Sequence, residues 1–95
     1  MAPALAAGNA VVIKPDSRTP VTGGLMIARV FAEAGLPKDL LQVLPGDAEA
    51  GEALVTDPLV PMIAFTGSPA VGRPIGELAG RHLKKVTLEL GGKNA

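Results

Sequence analysis

Residues 62–72 read MIAFTGSPAVG, an unbroken apolar run that passes through Gly67 and Ser68 into a segment led by proline. A short apolar run without polar alternation is typical of a parallel strand covered on both faces. A serine followed by proline is typical of a helix start, because proline at the first helical position loses no hydrogen bond. The stretch therefore predicts a buried strand, a glycine turn and a helix.

The same alternation of strand and helix extends along the rest of the chain. Apolar β-branched and alternating runs predict three more strands, and apolar residues at helical spacing predict two more helices. The predicted strands are 11–13, 40–44, 62–66 and 85–90, and the predicted helices are about 20–34, 48–56 and 69–79. This order predicts an α/β fold in which helices connect the strands of a parallel sheet.

The helix boundaries are predicted from capping residues, glycine and proline. Thr19 is expected to cap the first helix, Gly35 to end it, and Gly80 to end the last one. Pro74 is a misfit, because proline inside a helix removes a backbone hydrogen bond; the last helix is expected to begin near Gly72 or to kink at Pro74. The apolar stripe of the first helix consists of Val21, Leu25, Ala28 and Ala32, with Ile27 and Phe31 on an adjoining stripe.

The composition limits the size of the protein and the chemistry open to it. The 95 residues form at most one small domain, and nine basic against nine acidic residues give a net charge of zero. Without a positive field, neither nucleic acid nor a membrane surface is an expected partner. The absence of cysteine excludes a thiol nucleophile from these residues, and no metal site is expected. The one histidine, His82, lies in a basic loop and is expected to be solvated.

Residues 1–13 form an apolar, alanine-rich opening run. The run lacks the basic start of a signal peptide and is too short to cross a bilayer. We expect it to form buried structure in a cytoplasmic protein.

In an open parallel sheet, ligands bind beyond the carboxyl ends of the strands. The residues at the ends of the predicted strands are Lys14, Gly46, the pair Gly67 and Ser68, and Glu89. A lysine, two glycine turns and a carboxylate at one edge predict a site for an anionic ligand that carries a sugar.

Two interpretations are open for the glycine turn. Gly67 can let the backbone approach a pyrophosphate, while Ser68 and the helix start offer hydroxyl and N–H donors. Alternatively, the glycine serves only as a tight connection between strand and helix. The turn does not match Gly-x-Gly-x-x-Gly, and Arg73 and Pro74 stand where a P-loop has lysine and a hydroxyl residue, which disfavours kinase-like chemistry.

Three interpretations are open for Glu89. It can be a solvated carboxylate or pair with Lys93; it can hold ribose hydroxyls; or it can act as a general base whose motion the following Gly91 and Gly92 permit. Spacing alone does not choose among them.

Six motifs occur in order over nearly the whole chain: ALAAGNAVVIKP at 4–15, TP at 19–20, EAGLP at 33–37, VLPG at 43–46, FTGS at 65–68 and TLELGGK at 87–93. Together they resemble the NAD(P)-dependent aldehyde dehydrogenase superfamily. The resemblance implies that residues 1–95 are part of a coenzyme-binding domain with a Rossmann-like parallel sheet and crossover helices, and that the cofactor is NAD or NADP.

The resemblance implies coenzyme-binding roles for seven residues. The five-residue spacing of two glycines replaces the usual dinucleotide fingerprint, and the other positions contact ribose, pyrophosphate, adenine and, through the backbone, nicotinamide. These residues are Gly67 and Gly72 for the spacing, Lys14 and the Ser17 position for the ribose, Ser68 for the pyrophosphate, Val71 for the adenine and Leu90 for the nicotinamide.

The same resemblance implies that Glu89 is the general base, which activates the water that hydrolyses a thioester. Relatives that form acyl-CoA usually lack this glutamate, so the implied reaction is oxidation of an aldehyde to a carboxylic acid. The family's catalytic cysteine and its oxyanion-stabilising asparagine would fall outside residues 1–95. The chain alone is therefore expected to be inactive.

Ser17 departs from the family pattern. The family often has a glutamate at this position, which holds the ribose 2′ and 3′ hydroxyls and repels a 2′-phosphate. The serine leaves NAD, NADP or the use of both open.

The expected partner of the longer enzyme is a small aldehyde, and the enzyme itself is expected to be a homo-oligomer. The chain alone is expected to self-associate, because a small parallel sheet leaves an apolar edge. The main alternative is a non-catalytic piece that binds nucleotide weakly or is only structural. A weaker alternative is a domain that binds the phosphates of ATP.

Overall fold

The computed structural model describes residues 1–92. The four predicted strands and the three predicted helices are all present, which confirms the α/β fold. In chain order the elements are α1 (Ala2–Ala6), β1 (Val11–Ile13), a π-helix (Val21–Leu25), α2 (Met26–Glu33), β2 (Leu41–Val43), α3 (Ala48–Thr56), β3 (Met62–Gly67), α4 (Pro69–Arg81) and β4 (Lys85–Leu90). The chain divides into two compact units, a first unit of Met1–Gly51 and a second unit of Glu52–Ala95.

In the first unit, β1 and β2 form a parallel pair three residues long, in which Val11 pairs with Leu41 and Ile13 with Val43. The connecting helix opens with the π-helical turn and ends as predicted, with Gly35 at a φ of +90°. A positive φ is the conformation for which glycine is suited at a helix end. Parallel strands joined through a helix are the expected strand–helix–strand unit.

The start of this helix differs from the prediction. The Thr19 side chain makes no capping hydrogen bond; instead, the Thr19 carbonyl accepts the N–H of Gly23 at 2.9 Å. The Leu25 N–H donates to the Pro20 carbonyl at 3.1 Å, which is the five-residue spacing of a π-turn.

The predicted apolar stripe of the first helix is also wrong in part. The adjoining stripe of Ile27 and Phe31 is half-buried in line with the buried Gly24, whereas Val21 and Leu25 are exposed. Gly24, Ile27 and Phe31 also follow helical spacing, so the apolar pattern fits either face of the helix, and the packing partner decides which face is buried.

The opening run is not buried structure, contrary to the prediction. Its residues form α1 and then lead into β1, and residues 1–3 and 6–10 are exposed. Helix α1 buries none of its side chains, because no other element packs extensively against it. No helix among residues 1–92 is long and apolar enough to cross a membrane.

In the second unit, β3 and β4 form a longer parallel pair, with a register from Met62 opposite Lys85 to Gly67 opposite Leu90. Helix α4 begins at Pro69 rather than near Gly72, and it continues one residue beyond the predicted stop at Gly80. Pro74 lies inside the helix at an exposed position, where water can replace the hydrogen bond that the proline removes.

Strand β3 is covered on one face only, so the prediction of a strand buried on both faces is wrong. Ile63 and Phe65 are half-buried, whereas Met62, Ala64 and Thr66 are exposed. The apolar sequence suits a covered strand, but α4 packs on a single face of it. Among residues 1–92, the buried side chains are those of Pro15, Val55 and Ala79.

Candidate functional site

In the first unit, Lys14 follows β1 and its ammonium group connects the ends of the two strands. Its Nζ donates to the carbonyls of Pro15 and Gly46, each at 2.9 Å, and the side chain is part-buried. Gly46 lies in the loop that follows β2. An ammonium has three N–H donors, so these two bonds leave one donor for a ligand.

In the turn after Lys14, the two residues that flank Ser17, Asp16 and Arg18, form an ion pair. The Asp16 carboxylate accepts the backbone N–H of Arg18 at 2.9 Å, the Nε at 3.0 Å and the Nη2 at 2.7 Å. The side-chain and backbone hydrogen bonds from Arg18 hold the pKa of Asp16 well below its usual range, and the charge of Lys14 adds to this effect. The Asp16 carboxylate raises the pKa of Arg18 in turn. Ser17 itself is exposed.

In the second unit, Ser68 caps α4 as its sequence predicts. The Ser68 Oγ accepts the N–H of Val71 at 3.4 Å, which leaves the hydroxyl hydrogen free to donate. Pro69 has no N–H, and within the part of the chain that the structure describes the N–H of Ala70 has no backbone acceptor. An anion at this helix start would therefore meet the Ser68 hydroxyl and the Ala70 N–H, together with the positive end of the helix dipole.

The two glycines of this turn have a packing reason of their own. A Cβ added to Gly67 would come within 2.5 Å of the Phe65 ring, and a Cβ added to Gly72 would overlap the Leu90 side chain. At Gly72 the close approach of α4 to β4 leaves no room for a side chain, and at Gly67 the Phe65 ring of the same strand occupies the space that a side chain would take. Both reasons hold whether or not a ligand is present. This geometry favours the tight-connection interpretation for the glycines and leaves the donors at Ser68 and Ala70 as the possible anion contacts.

Glu89 and Leu90 end β4 on opposite faces of the sheet. Leu90 lies against Gly72 of α4, and because side chains alternate along a strand, Glu89 lies on the other face. The register sets Glu89 opposite Thr66, and both residues are exposed. Among residues 1–92 the Glu89 carboxylate has no ion-pair partner. Lys93, the alternative partner named above, lies outside the described residues.

The predicted site residues thus fall into two groups, one in each unit. Lys14 and Ser17 follow β1 in the first unit. The carboxyl end of the β3–β4 pair in the second unit brings together Gly67, Ser68, Val71, Gly72, Glu89 and Leu90. His82 is exposed, as predicted. No cluster of three or more metal-ligating side chains occurs within residues 1–92.

Three features of the site were not predicted from the sequence. Arg18 neutralises Asp16, Gly46 supplies a carbonyl to Lys14, and Thr66 lies beside Glu89. The acid and the arginine are two residues apart, so this pair could have been predicted from local spacing. The other two contacts depend on which strands pair and in which register.

Comparison with known proteins identifies relatives over the whole chain. The aldehyde dehydrogenase family profile matches residues 1–95. The chain is 62% identical to a vanillin dehydrogenase of Amycolatopsis sp. over 100% of its length, and 60% identical to a benzaldehyde dehydrogenase [NAD(+)] of Pseudomonas putida over 99%. These matches cover 20% and 19% of the two relatives, so the chain spans about a fifth of their length.

A solved structure of an aldehyde dehydrogenase shares the fold of this chain. The crystal structure of a Mycobacterium tuberculosis aldehyde dehydrogenase complexed with NAD+ matches 99% of this chain and 19% of its own, with a TM-score of 0.92 and 52% identity. The family match, the high identity and the shared fold agree over the full length of the chain. The chain therefore belongs to the aldehyde dehydrogenase family.

Proposed function

We propose that this chain is the part of an NAD(P)-dependent aldehyde dehydrogenase that binds the coenzyme and supplies the general base. The longer enzyme would oxidise an aldehyde to a carboxylic acid. The observation that carries the proposal is the register of β3 and β4, which sets the capped start of α4 and the exposed Glu89 carboxylate at one end of a single strand pair. The names of the vanillin and benzaldehyde dehydrogenase relatives and the NAD+ complex of the related structure support it.

Each unit offers contacts that suit a part of a dinucleotide. In the second unit, the Ser68 hydroxyl and the Ala70 N–H would hold the pyrophosphate, with Val71 beside the adenine and the Leu90 backbone beside the nicotinamide. In the first unit, the remaining N–H of Lys14 would donate to the adenosine ribose beside Ser17. When bound, the coenzyme accepts hydride from the substrate.

Glu89 would act on water. Its carboxylate is exposed, and β4 holds it in register beside Thr66. An Oε atom of Glu89 would take a proton from water while the water oxygen attacks the carbonyl carbon of a thioester. The thiol of that ester would come from a cysteine elsewhere in the longer enzyme, because this chain contains none.

The other properties we propose follow from this assignment. Residues 1–95 would form part of the NAD(P)-binding domain, and alone they would bind coenzyme without catalysing a reaction. The longer enzyme would be a cytoplasmic homo-oligomer that acts on a small aldehyde, and neither nucleic acid nor a membrane would be a partner. Vanillin and benzaldehyde are the first substrates to test.

Calorimetric titration of the 95-residue chain with NAD and with NADP tests the coenzyme site. Binding of at least one coenzyme, weakened by Ser68→Ala and unchanged by Thr22→Ala, supports the proposal. Thr22 is the control because it is an exposed hydroxyl residue outside the proposed site. Binding of neither coenzyme contradicts it and favours a structural piece. Binding of ATP with magnesium in place of both would favour the ATP-phosphate alternative.

A substitution in the longer enzyme tests the general base. With Glu89→Gln, we expect acid release to fall by about 10²- to 10⁴-fold, the usual contribution of a general base, while one equivalent of reduced coenzyme still forms. The exposed Glu52→Gln serves as the control. Unchanged turnover in the Glu89 variant would assign the base to another residue.

A further inference from the structure

Three charged residues, Lys14, Asp16 and Arg18, lie within three positions of Ser17 in the turn that follows β1. Lys14 is held by the carbonyls of Pro15 and Gly46, and Asp16 is held by Arg18 through two side-chain hydrogen bonds. The carboxylate nearest Lys14 in the chain is therefore neutralised by a guanidinium. The charges of this turn sum to one positive charge rather than to zero.

The arginine of this pair remains accessible to a ligand. Its side chain is 86% exposed, against 47% for Asp16. The pair uses Nε and Nη2, and no acceptor for Nη1 is found within residues 1–92. A guanidinium with free N–H groups is well suited to phosphate oxygens.

A phosphate and a hydroxyl respond differently to this arrangement. An unpaired carboxylate beside the ribose would repel a 2′-phosphate, whereas neutral 2′ and 3′ hydroxyls would feel little of its charge. For like charges about 7 Å apart in water, the repulsion changes affinity about threefold for each unit of phosphate charge. Ser17 carries no charge and opposes neither coenzyme.

We propose that the Asp16–Arg18 pair determines whether this chain accepts a 2′-phosphate, and that Arg18 allows NADP to bind as well as NAD by neutralising Asp16 and offering Nη1 to the phosphate. The inference rests on the proposed coenzyme site at Lys14. It adds two specificity-determining residues to that site.

The test compares the affinities of the 95-residue chain for NADP and NAD by calorimetric titration. Arg18→Gln leaves the Asp16 charge unpaired, so the ratio of NADP affinity to NAD affinity falls at least about threefold. Asp16→Asn removes the repelling charge and frees the guanidinium, so the same ratio rises. Arg29→Gln is the matched control, because Arg29 lies in the same unit, is 79% exposed and also pairs with a carboxylate, that of Glu33.

The possible outcomes separate this inference from the function on which it rests. Opposite changes in the two variants, with the control unchanged, support the inference. A ratio that neither variant changes, in a chain that binds NAD, overturns the inference and leaves the proposed function standing. Failure of the unsubstituted chain to bind either coenzyme overturns both.

Discussion

The two units each bring a helix close to a parallel strand pair through one buried glycine, but the neighbours of that glycine differ. In the first unit, a Cβ on Gly24 would lie 2.8 Å from the Val43 Cγ1 and 3.0 Å from the Pro15 Cγ. In the second unit, a Cβ on Gly72 would meet the end of the Leu90 side chain. Proline and a β-branched residue are stiff, whereas leucine can change rotamer.

The units also hold their strand ends by different means. In the first unit, Lys14 joins the ends of β1 and β2 through two backbone carbonyls. In the second unit, Ser68 caps the helix that follows β3. The first unit therefore relies on stiff packing and a charged side chain. The second depends on adaptable packing and a longer strand pair.

The largest expected effect is on the glycine of the first unit. Gly24→Ala should lower the free energy of unfolding of that unit by about 2–3 kcal/mol, at the upper end for overpacking, because neither Pro15 nor Val43 can move aside easily. Hydrogen exchange of the β1 and β2 amides measures the change for this unit alone.

The corresponding change in the second unit is expected to be smaller. Gly72→Ala should cost about 1 kcal/mol, because Leu90 can repack and alanine favours the helix. Gly80→Ala in the same helix is the control, since nothing lies within 4 Å of its added Cβ, and it should gain up to about 1 kcal/mol. An equal or greater cost at Gly72 than at Gly24 would contradict the proposed difference in stiffness.

Removing the Lys14 ammonium, which joins the ends of β1 and β2, is expected to have an intermediate effect on the free energy of unfolding of the first unit. Lys14→Met keeps the aliphatic part of the side chain and loses both hydrogen bonds to carbonyls, so the unit should lose about 1–2 kcal/mol, a value reduced for partial exposure. Faster amide exchange in the loop of Gly46 and at the start of α3 would report this loss. The exposed Lys38→Met should leave both unchanged, and equal effects of the two variants would mean that the carbonyl contacts do not stabilise the loop.

Much of the fold was predictable because its signals are local. The strand from Met62 ends at glycine, Gly35 ends a helix at positive φ, and Ser68 with Pro69 starts another. Most of the wrong predictions concern packing partners; the exception is the Thr19 cap, because the backbone hydrogen bonds of a π-turn begin that helix. An apolar strand can be covered on one face or on both. The number of covered faces depends on which elements pack against the strand, and the sequence of β3 alone does not specify them.

The candidate site was predictable to a similar extent. Lys14 and Gly46 were both identified as strand-end residues, and they are hydrogen-bonded to each other, but the bond spans 32 residues and required the pairing of β1 with β2. The carboxylate of Glu89 was likewise identified, whereas its neighbour Thr66 follows from the register alone. The coenzyme roles came from the family resemblance. A glycine that packing requires and a glycine that a ligand requires look the same in the sequence, so the glycine turn alone does not predict a ligand contact.

The smallest expected effect concerns the charged turn that only the first unit has. Because the folded pKa of Asp16 is lowered, the stabilisation from its pair with Arg18 is present above the ordinary aspartate pKa of about 3.9 and is lost as the pH falls through the lower folded value. The Asp16 carboxyl resonance should therefore titrate below about 3.9 in the unsubstituted chain. Its midpoint should rise towards that value in Arg18→Gln, which loses the guanidinium but keeps the backbone N–H bond and Lys14, and Arg29→Gln should not change it. An ordinary midpoint in the unsubstituted chain would mean that the pair does not persist in solution. The turn after β1 would then present an unpaired carboxylate beside Lys14, and the chain would be expected to favour NAD over NADP.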